Sequence, residues 1–505
     1  MTTATLTRTE APPRRPRRLS DAPAWALATG VGVIGFLASF LGSWNPSLWG
    51  DEAASVLSAE RPLSSLVRML GNVDAVHGLY YLFLHFWIDL FGASPVSVRL
   101  PSALGAGLVV AGVFVIGSML VSRRLGVLAA LICAVIPRMV LMGGEARSYA
   151  LSTAVAVWLT ALLLNYVRRG ETRRRAWLVY ALGLTFGIYL FLYLALLVPV
   201  HAVFVLARAR RTGQRRRWMQ AVAAAGILAI PIAFYGYAER AQIAFLAHRN
   251  YARLDYIFGI QWFGGPSPLF PIVAWTLIAI ALAATIVGIR RRGRVSSLAL
   301  LGFAWLILPT ALLLAINVVS PSYNLRYVAQ SVPAAALLMA TGILALRQRW
   351  VVAAASIATI AIAVPYVALQ RGPYAYDNSD WRQVSAYVHS IAQPGEAVVF
   401  DNTVRPSRKP RLAMRLYPSD WAGLVDVQLQ TPYDETAGLW DVTDSLDTVA
   451  PRLDTVTSVL LFDLKGSHDH GTHENLDELE NLGFVLDHTH VVHRTIVYTL
   501  TRGQS

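Results

Sequence analysis

Two adjacent carboxylates stand where a long apolar stretch ends. Asp51 and Glu52 occur in SLWGDEAASVLS, directly after the uncharged run APAWALATGVGVIGFLASFLGSW. Beside a membrane, such a pair can act as a general base, because a neighbouring carboxylate or a low dielectric raises a carboxyl pKa towards neutrality. The pair can also bind a metal ion. The simpler alternative is that Asp51 only caps the helix AASVLSAE.

A second polar pair follows in the sequence DAVHGLYY. Asp74 and His77 stand one helical turn apart. The histidine could stabilise a phosphate or bind a metal, and the aspartate could orient it or share the metal. Asp51, Glu52, Asp74 and His77 are therefore the candidates for a divalent metal site, although the sequence requires none. The simpler alternative is a capped helix with a surface histidine.

Two further stretches place charged side chains at the ends of apolar segments. GGEARSYAL carries Glu145 and Arg147, and SYNLRYVAQSVPA carries Arg326. Glu145 and Arg147 could be no more than a local ion pair, and Arg326 could be an interfacial anchor in an aromatic belt. An arginine in this position is also suited to bind the phosphate of a lipid-linked substrate with two parallel hydrogen bonds.

The elements that position these residues are predicted to be membrane helices. The chain has 505 residues, of which 55% are hydrophobic and only 15% charged, and its mean hydropathy is +0.47. Apolar windows of about 20 residues recur along the first three quarters, and each is long enough to span a bilayer. We expect a polytopic helical membrane protein whose first span is not cleaved off. The single cysteine, Cys133, is expected to be a buried core residue.

The net charge of +14 arises from arginine clusters between the apolar runs, such as RRGETRRR and RARRTGQRRR. This spacing follows the positive-inside rule and also suits anionic lipid head groups, so we expect no nucleic-acid partner. The basic tail 1–22 is then cytoplasmic. Eleven spans of the plasma membrane follow the tail and alternate in direction. The loop 45–98 and all residues after the last span then lie outside the cytoplasm. Six of these spans are expected at about residues 23–44, 100–121, 125–142, 148–167, 218–236 and 350–367.

One apolar segment is not counted as a span. HGLYYLFLHFWIDLFG (77–92) is short, and a span there would place the next arginine clusters outside. We expect this segment to be a helix that lies at the membrane interface. With this assignment Asp51, Asp74, Glu145 and Arg326 all lie on the extracytoplasmic side, together with their neighbours.

A soluble α/β domain is predicted for residues 368–505, where hydropathy falls. SDWRQVSAYVHSIAQPGEAVVFDN indicates an amphipathic helix, a turn and a strand, and SVLLFDLKG and RTIVYTLTR indicate further strands. ENLDELENLGFVLDHTHVV indicates a helix followed by a strand. The segment 468–493 is rich in histidine. A surface loop and one face of a strand explain these histidines more simply than a zinc site does.

The order of these motifs resembles the GT-C glycosyltransferases, in particular the protein O-mannosyltransferase and aminoarabinose-transferase group. The set comprises an acidic pair after the first span, D-x-x-H, R-L-P-S opening the second span, E-A-R-x-Y, and a late R-Y. The resemblance covers about residues 23–367. It implies a GT-C membrane domain of about eleven helices, with interfacial helices in the first loop and a C-terminal soluble domain outside the cytoplasm.

The resemblance also implies roles for individual residues. Members of this group transfer a sugar from a polyprenyl-phosphate carrier, usually with inversion, and their catalytic base is the acidic residue after the first span. That role falls on Asp51, with Glu52 beside it. Donor phosphate and substrate binding falls on the other motif residues. These are Asp74, His77, Glu145, Arg147, Tyr149, Arg326 and Tyr327, with Arg326 assigned to the phosphate.

The sugar and the acceptor stay open at this point. Mannose is the first expectation, and arabinofuranose from a decaprenyl-phosphate carrier is the alternative. The acceptor is expected among envelope glycans, lipoglycans, glycolipids and proteins. Two other classes are a transporter or flippase and an envelope-assembly scaffold. A transporter should carry ionisable residues at mid-membrane, whereas here they lie at span ends.

Overall fold

The computed structural model describes residues 23–265, 267–466 and 474–503, so the predicted basic tail and the first histidines of the His-rich segment lie outside the described residues. Its membrane part is helical. The helices are α1 (Ala24–Phe40), α2 (Gly50–Glu60), α3 (Leu63–Leu70), α4 (Gly78–Phe91), α5 (Pro95–Leu120), α6 (Arg123–Val135), α7 (Pro137–Gly143), α8 (Tyr149–Arg169), α9 (Arg174–Leu190), α10 (Leu197–Arg208), α11 (Thr212–Leu228), α12 (Ile230–Ala238), α13 (Leu269–Arg292), α14 (Ser297–Val319), α15 (Val332–Ala345) and α16 (Arg349–Leu369).

Helices occur at each predicted span, but not all are long enough to be assigned as one. Among the described residues, five helices can cross a membrane by length and composition, or up to seven if two bent pairs each count as one span. The predicted span 125–142 is bent by 66° between α6 and α7. Pro137 opens α7 and cannot donate the backbone hydrogen bond that would continue α6. The total of eleven spans stays a prediction.

The segment 77–92 forms a helix, α4, of 14 residues. Its length of about 21 Å is well short of the roughly 30 Å of a hydrocarbon core, which supports the predicted interfacial position. One face packs against α2 through Tyr80, Tyr81 and Leu84, whereas Phe86 and Leu90 on other faces are exposed. α4 therefore anchors the loop that carries the acidic pair.

Two irregular helical segments lie between α12 and α13. Arg240–His248 forms a 3-10 helix and Tyr256–Gln261 a π-helix. The first follows α12, which begins with a proline in its first turn and is bent by 48° from α11. This segment returns to the first loop, where Gln242 and Glu239 accept hydrogen bonds from the backbone at residues 74 and 75.

The C-terminal region contains a small sheet, as the sequence predicted. Five strands lie in the order β2-β1-β5-β7-β6, with parallel pairing of β1 to β2 and β5 and antiparallel pairing of β7 to β5 and β6. The elements are α17 (Trp381–Ile391), β1 (Ala397–Phe400), α18 (Leu412–Leu416), β2 (Val425–Asp426), β3 (Leu429–Thr431), β4 (Val442–Thr443), α19 (Leu446–Val449), β5 (Ser458–Leu464), α20 (Glu474–Asn481), β6 (Phe484–Val491) and β7 (Thr495–Arg502).

The sheet region and the first loop share one hydrophobic core. Ala53, Val56 and Leu57 of α2 belong to the same buried cluster as Trp381 of α17 and Phe462 of β5. Because apolar area is buried between the two regions, separating them would expose it to water. The C-terminal region is thus fixed over the start of α2 rather than tethered by a linker alone.

Two of the described histidines in the His-rich segment stack on tyrosines. The His490 ring lies 4.0 Å from that of Tyr387, and the His493 ring 3.9 Å from that of Tyr374. No group of three His, Cys, Asp or Glu that could hold a metal ion occurs among the described residues, here or elsewhere. Cys133 is buried in the helical core, as predicted.

Candidate active site

A cavity of about 550 Å³ opens between the first loop, the start of α8, the segment after α9, residues 324–327 and the C-terminal region. Seven of the nine predicted site residues line it, although they come from four separate parts of the chain. They are Asp51, Asp74, His77, Arg147, Tyr149, Arg326 and Tyr327. Glu52 and Glu145 are not among the lining residues. The structure therefore separates the two carboxylates that are adjacent in sequence.

Asp51 and Arg326 face each other on the wall of the cavity. Arg326 Nη1 donates a hydrogen bond of 2.5 Å to Asp51 Oδ2. Both side chains keep access to solvent, since that of Asp51 is 35% exposed and that of Arg326 is 30% exposed. The Arg326 guanidinium also lies 4.5 Å from the centre of the Trp49 ring, in a cation–π contact. A carboxylate that can accept a proton and a guanidinium that can bind an anion thus lie together on the exposed wall of the cavity.

Glu52 has a different environment, which corrects its assignment beside Asp51 as a catalytic residue. Its carboxylate is fully buried and accepts hydrogen bonds from Arg99 Nε at 2.7 Å and Arg99 Nη2 at 2.5 Å. The backbone N–H of Ala146 also donates to it. A carboxylate with these three donors and no access to the cavity cannot take a proton from a substrate. We infer that Glu52 positions α2 against α5 and the start of α8.

Arg147 lies behind Asp51 and fixes the backbone there. Its Nη1 donates to the carbonyl oxygen of Asp51 at 3.1 Å and to Ser55 Oγ at 3.2 Å. Its Nη2 lies 3.0 Å from His77 Nε2. A guanidinium can only donate, so His77 Nε2 must be the acceptor and the ring proton must reside on Nδ1. Burial, and then the charge of Arg147, lower the pKa of His77 well below its usual value. His77 is accordingly neutral and supports Arg147.

Asp74 occupies a strained turn at the other side of the cavity. Its φ of 60° lies in the left-handed region, which aspartate tolerates better than most residues. Its carboxylate accepts a hydrogen bond of 2.8 Å from the Tyr81 hydroxyl. Burial raises the pKa of Asp74, while Arg147 opposes the shift. Asp74 and His77 thus both contact the network around Arg147, as their spacing of one turn allows.

Glu145 is buried near the cavity without lining it. Burial raises the pKa of Glu145 to about 7, and the charge of Arg326 partly offsets this effect. The negative charges of Asp51 and Glu52 raise it further. The simpler alternative, a side-chain ion pair between Glu145 and Arg147, does not occur among the described residues, because the Arg147 guanidinium contacts Asp51, Ser55 and His77 instead. The hydrogen bond between these two residues joins their backbones.

Aromatic rings form another part of the cavity wall. Tyr193 and Tyr327 stack with ring centres 4.3 Å apart, and Phe191 makes edge contacts with Tyr149 at 5.2 Å and Tyr327 at 5.9 Å. Flat, rigid rings of this kind offer apolar faces to a sugar or a prenyl chain. Phe191 and Tyr193 were not predicted. They belong to an apolar stretch in which the sequence does not distinguish lining residues from packing residues.

The C-terminal region covers part of the cavity. Ser407, Gly438 and Trp440 are lining residues, and the Ser407 carbonyl oxygen lies only 2.4 Å from the position that a Cβ at Gly50 would occupy. Arg61 of the first loop donates to the carbonyl oxygens of Thr436 and Gly438. The glycine before the acidic pair is thus required for this close approach, which the sequence alone did not indicate.

The four candidate metal ligands do not form a metal site. Arg99 binds the carboxylate of Glu52, and Arg147 binds His77 Nε2. Asp51 is paired with Arg326 and Asp74 with Tyr81. Each of the four groups thus already has a protein donor. A metal site at these residues, which the sequence left open as a possibility, is therefore not supported among the described residues, and no step is assigned to a metal.

Arg99 is the main residue that the sequence analysis did not assign. It was noted only as the first residue of R-L-P-S, yet its side chain is fully buried and also donates to the carbonyl oxygens of Ser43, Pro46 and Ser47. A buried charge requires a partner. An arginine near the start of an apolar helix was therefore the feature of the sequence that could have revealed this role. It indicated a partner carboxylate nearby, and that partner is Glu52.

Residues 79–235 match the family model described as dolichyl-phosphate-mannose-protein mannosyltransferase. The chain superposes on ArnT from Cupriavidus metallidurans in the apo state, with a TM-score of 0.56, 11% identity, and coverage of 94% of this chain and 97% of that one. The chain has the fold of the GT-C glycosyltransferases.

Two further solved structures are also similar to this chain. ArnT bound to undecaprenyl phosphate matches with a TM-score of 0.58, 12% identity and the same coverage. The mycobacterial arabinofuranosyltransferase AftD matches with a TM-score of 0.48 and 15% identity over 95% of this chain and 40% of that one. A search of curated protein sequences finds no match. The predicted resemblance to GT-C enzymes is confirmed, and the predicted class, a lipid-phosphate-sugar-dependent glycosyltransferase, agrees with the family model.

Proposed function

We propose that this chain is an inverting glycosyltransferase that moves a sugar from a polyprenyl-phosphate carrier to an acceptor hydroxyl outside the cytoplasm. The observation that carries the proposal is the open ion pair of Asp51 and Arg326 in the cavity. A carboxylate that can accept a proton and a guanidinium that can bind a phosphate stand in contact. Transfer from a lipid-phosphate sugar requires these two functions.

The ion pair also suggests how donor binding prepares the base. The phosphate of the donor is a stronger bidentate partner for Arg326 than one oxygen of Asp51 is. When the phosphate binds, Arg326 turns to it and releases the carboxylate. Asp51 then becomes a free acceptor only when the donor is present. This order would limit loss of the activated sugar to water.

The chemical step needs no further group. Asp51 accepts the proton of the acceptor hydroxyl while that oxygen forms a bond to the anomeric carbon. The bond from the anomeric carbon to the phosphate oxygen breaks on the opposite face, which inverts the centre. The leaving group is polyprenyl phosphate, whose growing negative charge is stabilised by Arg326, so it needs no proton. Arg147 and His77 hold the backbone of Asp51 in place.

The position of the cavity supports an extracytoplasmic site in the plasma membrane. Tyr149 lines the cavity at one end of α8, whereas Arg168 and Arg169 lie at the other end, about 31 Å away for a helix of 21 residues. Under the positive-inside rule the arginine end is cytoplasmic. The donor head group would then be bound on the outer side, where envelope glycans, lipoglycans, glycolipids and proteins are the available acceptors.

Mannose is the sugar we propose first, because the matched family model describes dolichyl-phosphate-mannose enzymes. Arabinofuranose on a decaprenyl-phosphate carrier is the alternative that the assay must include. We further propose that the C-terminal region contributes to acceptor choice through Trp440, which lines the cavity. Deleting residues 368–505 is a poor test of this idea, since the first loop shares its core with that region. Trp440→Ala, with acceptor KM as the readout, tests it without removing the core.

The experiment is transfer by the purified protein in lipid bilayers. Polyprenyl-phosphate mannose and decaprenyl-phosphate arabinofuranose are each offered with envelope acceptors, and wild type is compared with Asp51→Asn. We expect transfer from one donor and a loss of about 10²- to 10⁴-fold in the variant, the range for removal of a general base. Asp89→Asn, an exposed acid on α4, is the control. Full activity of Asp51→Asn would move the base elsewhere, and no transfer with either donor would favour a transporter or a scaffold.

A further inference from the structure

The end of the molecule opposite the candidate active site carries a second polar site. Two cavities of about 460 and 560 Å³ adjoin there and share Arg208, Arg210 and Ser297 in their walls. Seven arginines line them. Two end α8, three lie at the end of α10 and just beyond it, and two lie around the end of α13. No aspartate or glutamate lines either cavity in the described part of the chain.

This arrangement is more than a row of basic loops. The arginines come from three connections that are distant in sequence, and the fold brings them around one concavity. Like charges held close together repel, so the arrangement is most stable with an anion between them. Two of the arginines are fixed in place. Arg208 donates to the carbonyl oxygen of Val295, and Arg168 Nη1 donates to that of Met119 at 2.9 Å.

Buried donors and backbone amides add to the positive charge. Arg208 Nε is buried and has no hydrogen-bond partner in the part of the chain that the structure describes. Ser296 and Ser297 open α14, a helix of 23 residues, so the positive end of its dipole points to the same place. These features favour an oxygen-rich anion such as a phosphate.

An apolar groove continues from the basic cavity. Met119, which lines the second cavity, also lines a groove of about 880 Å³ between α1, α5 and α8. The groove is walled by apolar side chains such as Phe36, Leu108 and Trp158. A polar cavity with phosphate chemistry that leads into an apolar groove along membrane helices has the shape of a lipid head group with its chain.

We infer that the adjoining arginine cavities bind the phosphate head group of an anionic membrane phospholipid, with a chain in the groove beside Met119. The site lies at the opposite end of α8 from the Asp51 cavity, so it is separate from the proposed donor site. The inference does not depend on the proposed transfer reaction. Its ligand would be a component of the leaflet at the arginine-rich face.

The test compares matched pairs of arginine variants. Arg210→Gln with Arg292→Gln removes two exposed arginines that line the cavities, and Arg290→Gln with Arg291→Gln removes two exposed arginines of the same helix end that do not. Binding of phosphatidylglycerol to the purified full chain is measured by native mass spectrometry, with phosphatidylcholine as the uncharged-lipid comparison. Loss of both cavity arginines should weaken phosphatidylglycerol binding about thirtyfold, and the control pair should change it less than about threefold.

Other outcomes would overturn the inference. Equal loss in both pairs would mean that the arginines act only as a diffuse field. If the protein binds phosphatidylcholine as tightly as phosphatidylglycerol, the groove alone binds the lipid. Displacement of the lipid by inorganic phosphate at similar concentration would identify a soluble phosphate as the ligand. If the double variant fails to fold, Arg210→Gln alone against Arg290→Gln alone gives the same comparison with smaller effects.

Discussion

Two ion pairs begin at neighbouring residues of α2 and have opposite environments. Asp51 and Arg326 meet on the wall of the cavity, and each keeps about a third of its side-chain surface exposed. Glu52 and Arg99 meet one residue further on, with no exposure at all and with hydrogen bonds that satisfy the carboxylate on both oxygens. One pair is open to a substrate, and the other is sealed.

The comparison shows how a fold can divide two like residues between function and structure. A helix directs successive side chains about 100° apart, so one carboxylate of α2 faces the cavity while the next faces α5 and the start of α8. The sealed pair holds the helix in place, and the open pair is held ready for exchange. Activity should therefore depend on the open pair, and stability on the sealed one.

The largest effect is expected from breaking the sealed pair. Glu52→Gln leaves Arg99 as a buried charge without its counter-ion, which should destabilise the protein by about 3–5 kcal/mol. Thermal unfolding in lipid nanodiscs measures this. Asp51→Asn is the matched control on the same helix and should shift the midpoint far less. Similar shifts in both variants would remove the distinction between the two pairs.

The next effect concerns the open pair. Arg326→Gln should reduce the transfer rate by about 10²- to 10³-fold, because the developing phosphate charge loses its main cation, while the unfolding midpoint changes little. Arg326→Lys should recover part of the rate, since it restores the charge but not the bidentate geometry. Arg249→Gln, an exposed arginine outside the cavity, is the control. An unchanged rate in Arg326→Gln would assign the phosphate to another cation.

A smaller effect is expected from Glu145, which belongs to neither pair. In the unfolded chain its carboxyl ionises near pH 4.5, whereas burial raises the pKa to about 7 in the folded chain. The folded state holds the proton longer, so the free energy of unfolding falls as pH rises through this window, by about 3 kcal/mol. Glu145→Gln should remove that part of the slope, and Asp89→Asn should keep it. Unfolding midpoints measured across the window test this.

The smallest effect should come from the contact that covers the open pair. Gly50→Ala adds a Cβ that would meet the Ser407 carbonyl oxygen, so the C-terminal region must shift. We expect a cost of about 1–3 kcal/mol and a few-fold increase in the KM for the acceptor. Ala54→Gly, on the same helix, is the control for a change of side-chain size near the cavity. An unchanged KM would argue against a role of this cover in acceptor binding.

Much of the fold could be predicted because it follows from local pattern. Apolar windows gave the positions of the membrane helices, and alternation and periodicity gave α17, β1, β5, β6 and β7 close to their observed bounds. The bends at α6–α7 and α11–α12 were missed, although a proline opens the second helix of each pair. The pattern of hydropathy continues across such a bend, so it does not reveal one.

The sequence by itself placed Asp51, Asp74, His77, Arg147 and Arg326 at span ends, because charged side chains are costly inside lipid. The family resemblance added Tyr149 and Tyr327, and these seven residues line one cavity. Only the tertiary structure decided which carboxylate is available. Asp51 and Glu52 are equivalent in composition and spacing. Their difference depends on Arg99 and Arg326, which are 47 and 275 residues away in sequence and reach α2 only when the helices have packed.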